Sequence, residues 1–223
     1  MRTDAGLSRL LAWMSPAFPT GAFGYSHGIE QAIHEGRVSD AESLIRWLEG
    51  VLELGAGWND AVQLAEAHAA VTANDATRLV SAAELARALS PSAERLRESQ
   101  AQGAAFLKAV EIGWPSPLLE PLHGQAAYCI AVGAAAGAHG VALTDALTGL
   151  LQSFAANLIG ASLRLMPLGQ TGAVAVLAAL EPSILALVRR ADVSSLDDLG
   201  GAAMLSDIAA MRHETLEPRL FLS

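Results

Sequence analysis

Cysteine is nearly absent from this chain: the 223 residues contain one, Cys129. A single thiol closes no internal disulfide and builds no zinc cage. Its setting in AAYCIAVG reads as that of a small buried hydrophobe. Aromatic residues are scarce as well, at 5%, and charged residues make up only 17%. The charge is also lopsided, with 14 Lys and Arg against 23 Asp and Glu, a net charge of −9. A surface that neutralises a phosphate backbone relies on clustered Lys and Arg. Nucleic acid is therefore excluded as an expected partner.

No segment reads as a signal peptide or a membrane span. The N-terminal MRTDAGLSRLLAWMSPAF has too short an apolar core and carries Asp4. Residues 121–144 contain no Asp, Glu, Lys or Arg, the length of a span. They are mostly Ala and Gly, hold His123, Gln125 and His139, and are flanked by Glu120 and Asp145 rather than by basic residues. The expectation is a buried helix, no membrane, and a cytoplasmic protein.

What the chain does have is apolar surface, 52% of its residues, drawn mainly from Ala, Leu and Val. A chain of this length buries roughly 70–75% of its unfolded surface. Apolar residues recur at helical spacing almost throughout, as in Leu7, Leu10, Leu11 and Met14, or Leu147, Leu150, Leu151, Phe154 and Leu158. Nothing comparable supports strands. Asp40, Asn59 and Asp60, Asn74 and Asp75, Ser90 before Pro91, and Thr144 before Asp145 read as helix starts. Breaks fall at residues 16–24, 114–117 and 166–169. The fold class expected is all-α, one helical-bundle domain of about eight to ten helices. Gly133, Gly137 and Gly140 give one helix a thin face for close approach by a neighbour.

Two local patterns point to chemistry. GYSHG at 24–28 fits G-x-S-x-G, which holds the nucleophilic serine of many α/β-hydrolases. That elbow needs a buried strand running into the turn, and the preceding SPAFPTGAF, with Pro16 and Pro19, is a loop. A serine hydrolase at Ser26, with Asp60 and His123 as partners, is thus a weak alternative. Just downstream, His27, Glu30 and His34 would share one stripe of a helix beginning near Ser26, a candidate Zn²⁺ or Ni²⁺ site. Three ligands spread over more than two turns do not readily reach one metal, so a solvated face is expected and no metal ligand is assigned.

Four stretches carry a resemblance. SPAFPTGAFGYSHGIEQAI at 15–33, RESQAQGAAF at 97–106, RLMPLGQTGAVAVL at 164–177 and MRHETLEPRLFLS at 211–223 are similar, in that order, to the UreF family of urease accessory proteins. The resemblance implies an all-α homodimer with no catalytic site of its own and no stably bound cofactor. It implies an adaptor that binds UreD (UreH in some organisms) and recruits the GTPase UreG to deliver nickel to the urease apoprotein. Nickel and GTP then act through the partners. The alternative is a metallochaperone that binds nickel itself through His27, Glu30, His34 or His213.

Partner contacts are expected from Phe18, Phe23, Tyr25, Glu30, Arg164, Gln170, His213, Glu214, Arg219 and Phe221. Phe18, Phe23 and Tyr25 sit in a proline-stiffened loop, either as rigid interface anchors or as plugs of the core. Arg164 interrupts an uncharged run from Ala146 to Leu163. It meets an internal carboxylate such as Glu98 or Glu111, or it faces a polar channel or an interface. The domain is expected to span 1–213, with 214–223 a tail that orders on a partner or else tucks Leu220 and Phe221 back onto the helices. Leu216 and Leu222 stand where the family tail commonly has glutamine and arginine.

Overall fold

The structure is a computed structural model that describes residues 4–223. The first three residues of the expected 1–213 domain lie outside that range. The described chain is 73% helical, with ten α-helices and no strand among the described residues. The helices are α1 (Asp4–Trp13), α2 (Ile29–His34), α3 (Ala41–Leu54), α4 (Ala56–Thr72) and α5 (Ala76–Ala88), then α6 (Ala93–Gly113), α7 (Tyr128–Ala138), α8 (Leu143–Leu165), α9 (Gly169–Ala191) and α10 (Met204–His213).

Side-chain caps start several of them. Asp40 accepts the Ser43 N–H while Ser43 reaches back to the cap backbone, which closes a capping box for α3. Asp75 accepts the Arg78 N–H for α5, and Ser92 accepts the Arg95 N–H for α6. Ser92, two residues beyond the expected Ser90, is the α6 cap. Asn59 and Asp60 fall inside α4, because the chain re-enters a helix right after Gly55. Thr144 and Asp145 likewise lie in the first turn of α8.

The apolar stretch read as a buried helix is α7, whose residues from Cys129 to Ala136 are all buried. It packs chiefly against α4, with α6 on another side. Glycine permits that approach: a Cβ on Gly133 would lie 2.3 Å from the Leu64 carbonyl oxygen. Gly137 meets the His68 carbonyl in the same way, whereas Gly140 lies past the end of the helix in a left-handed turn. Around this pair, α8 lies on α9, α9 on α3, and α10 on α2. Helices α8 and α9 are long and apolar enough to cross a membrane by length and composition alone. Their inner faces, from Leu147 to Ile159 and from Val176 to Val188, belong to the core. Trp13 packs edge-on against both Phe106 and Trp114 and closes one end.

Candidate docking site at the chain end

Helix α2 begins at Ile29, after two left-handed residues, His27 (φ 58°) and Gly28 (φ 77°). A Cβ on Gly28 would come within 2.7 Å of the Ala210 backbone, so α10 rests directly on this turn. The turn aims Glu30, in the first turn of α2, into the protein instead of along a surface stripe. There Glu30 Oε1 accepts the Leu220 N–H (2.7 Å) and Oε2 accepts the Phe221 N–H (3.0 Å). Oε2 also lies 3.0 Å from His213 Nε2.

His213, in the last turn of α10, is fully buried. Its Nδ1 lies 2.8 Å from Glu94 Oε2, so the ring is clamped between two carboxylates. Arg219 donates to the other oxygen of Glu94. Next to this chain, Glu214 accepts the Ala93 and Glu94 N–H groups at the start of α6. An acid at a helix N-terminus satisfies otherwise unpaired donors there.

The last residues run beside the loop before α2. The Leu222 N–H donates to the Gly24 carbonyl (2.9 Å), and the Ser26 N–H to the Ser223 carbonyl (2.8 Å). The Ser26 hydroxyl donates to that same carbonyl, and the Ser223 hydroxyl to Glu98. Phe221 is 3% exposed, and the Arg164 guanidinium sits 4.2 Å above its ring. Arg164 also donates to the Phe23 carbonyl (2.8 Å), which ties loop, tail and α8 together.

These positions differ in several respects from the sequence expectations. Arg164 pairs with neither Glu98 nor Glu111. It is exposed and caps a carbonyl over an aromatic ring, since the α8 C-terminus where it sits opens toward the loop. Of the loop aromatics, Phe18 plugs the core against Phe106, Tyr25 is half-buried, and Phe23 is 75% exposed. The tail lies against the helices. Phe221 is tucked in, while Leu220 and Leu222 stay exposed on either side of it. Glu30 and His213 are internal, so they set the position of the tail and are not themselves surfaces. Gln170 is exposed in the first turn of α9.

Ser26 is buried and donates to a main-chain carbonyl, and no strand leads into it. The elbow is therefore missing its scaffold. The His27, Glu30 and His34 stripe does not form: His27 precedes the helix and is buried, Glu30 holds the tail, and His34 is exposed. Among the described residues no group of three His, Cys, Asp or Glu is placed to hold a metal ion.

Glu94 and Glu98 belong to this candidate site but were not assigned to it from the sequence, where Glu98 was weighed only as a partner for Arg164. Their signal was faint: acids early in a helix that follows a Ser-Pro-Ser start, where a capping role is the ordinary reading. Glu98 is buried between Arg95, His27 and the Gln102 amide. Burial opposes its ionised form, but the Arg95 charge and the adjacent His27 hold the carboxyl well below the usual range.

Residues 38–181 match the family described as UreF. The chain is 52% identical over 221 residues to the urease accessory protein UreF of Mesorhizobium japonicum, covering 99% of this chain and 98% of that one. To the protein of the same name from Rhodopseudomonas palustris it is 50% identical over 224 residues, 99% and 92% of the two chains. To that of Brucella ovis it is 49% identical over 218 residues, 97% and 94% of the two. The alignments that cover 99% of this chain extend on both sides of the family-matched residues 38–181, where the loop and the tail lie.

Proposed function

Since the chain belongs to the UreF family of urease accessory proteins, we propose that it is a non-enzymatic cytoplasmic adaptor in urease maturation, acting as a homodimer. In this reading it binds a UreD-type (UreH) protein through the loop and tail and recruits the GTPase UreG. Nickel then reaches the urease apoprotein through the assembled complex.

The observation that carries this reading is the latch at the chain end. It fixes Phe23, Leu220 and Leu222 as exposed apolar side chains beside Arg164 and Arg219, on a backbone held by Glu30, Ser26 and Glu98. Aromatic and arginine side chains in a pre-ordered setting lose little entropy on binding and are frequent interface anchors. Leu222 in place of the family's arginine makes this part of the surface apolar, and a matching apolar contact is expected on the partner.

Size exclusion with light scattering tests the adaptor role, using this chain with the UreD-type and UreG-type proteins of its own organism, with and without GTP. A stable assembly containing all three is expected. Removing residues 214–223 should abolish UreD binding, and unchanged binding would sink the tail assignment. Calorimetry with Ni²⁺ separates the adaptor from a metallochaperone, because stoichiometric tight binding by the isolated chain belongs only to the latter.

A further inference from the structure

Behind the loop of residues 15–23 lies a cavity of about 530 Å³, within the size range of small-molecule sites. Its walls are unusual for this chain, since five of the eleven aromatic residues line it, Trp13, Phe18, Tyr128 and Phe154 among them. The charged residues around it are Asp60, Glu98 and Arg164.

Two of these three are already satisfied. Glu98 pairs with Arg95 and accepts from Ser223 and Gln102, and Arg164 is engaged by the Phe23 carbonyl and the Phe221 ring. Asp60 has the Cys129 thiol beside it but no cation within ion-pair distance among the described residues. It also borders a second cavity, of about 300 Å³, on its other side. Burial pushes its carboxyl up to about 6, with the charge of Arg95 only partly opposing.

A buried carboxylate without an ion-pair partner, lining an aromatic-walled cavity, is complementary to a cation with a carbon body. A metal ion fits less well. It needs several oxygen or nitrogen ligands at once, and no such group is assembled here.

We propose that this cavity binds an organic cation, a primary ammonium or guanidinium group, with Asp60 as its counter-ion and the aromatic walls packed on its carbon chain. The site goes beyond the adaptor reading and does not rest on it. The cation is either a free small amine or a Lys or Arg side chain presented by another protein.

Calorimetry on the full chain tests this with four probes: n-butylammonium, butylguanidinium, the uncharged n-pentanol, and a capped Gly-Lys-Gly peptide. Saturable binding of at least one cationic probe is expected, with n-pentanol at least about tenfold weaker. Asp60→Asn, checked for its helical signal by circular dichroism, should weaken the cation by about tenfold or more and leave n-pentanol unchanged. Tighter binding of the free amines assigns the ligand as a soluble molecule, and tighter binding of the peptide assigns it as a side chain. Equal binding of n-pentanol, indifference to Asp60→Asn, or no binding by any probe would overturn the proposal.

Discussion

Asp60 and His27 respond to acid in opposite directions. Burial raises the Asp60 carboxyl to about 6 and lowers the His27 imidazole to about 4, Arg95 adding to the second shift while Glu98 opposes it. Between about pH 4 and 6 native Asp60 keeps a proton that the unfolded chain releases, so this residue stabilises at low pH and its contribution is lost as pH rises through that window. His27 does the reverse. The unfolded chain takes up a proton that the native ring refuses, so stability falls as pH drops from about 6.5 to 4. The two slopes largely cancel in the wild type, and single substitutions should expose each. Asp60→Asn should raise stability at pH 7 by on the order of 1–2 kcal/mol, allowing for water in the adjoining cavities. It should also leave a protein that weakens on acidification. His27→Asn, which tolerates the left-handed backbone, should weaken as pH rises from 4 to 6. Thermal unfolding at pH 4.5, 5.5 and 7 distinguishes them, and parallel pH profiles for all three proteins would refute the assignment.

At the scale of elements, the tail stays in place without helix or strand of its own because one carboxylate accepts two of its N–H groups. Glu30→Ala removes that acceptor and leaves His213 Nε2 without its partner. The expected cost is about 2–4 kcal/mol, with hydrogen exchange at Leu220 and Phe221 accelerating toward that of a free peptide. Gly133→Ala probes the opposite kind of contact, backbone against backbone. Its Cβ would press on the Leu64 carbonyl, so α4 and α7 must separate, at about 1–3 kcal/mol measured by urea unfolding. The glycine face was legible from sequence because thin helix faces depend on local composition. So were the Asp40 and Asp75 caps, where donor and acceptor are three residues apart. The burial of His213 was not, since its two partners lie 119 and 183 residues away in the chain. No periodicity encodes such a pairing, and a histidine near a chain end reads as surface.

On the scale of the molecule, helical periodicity in an Ala- and Leu-rich chain was sufficient for the fold class, and the described structure is 73% helical with no strand among the described residues. The site was legible only in outline. The loop and tail stood out as segments, but which of their residues face inward depended on where α2, α6 and α10 meet. Phe23 and Phe221 show the limit. Both are phenylalanines that follow a proline closely, and one is exposed while the other is packed into the core cluster with Arg164 over its ring. The same loop also gives Phe23 a double position: its ring borders the cavity over Asp60, and its carbonyl is held by the arginine that covers the tail. The inner wall of one site is thus the outer rim of the other. Any ligand that prefers one position of residues 15–23 changes the energy of that position for a ligand on the far side. Linkage makes the effect mutual, so whatever factor an occupant of the cavity imposes on docking at the chain end, docking returns to the occupant.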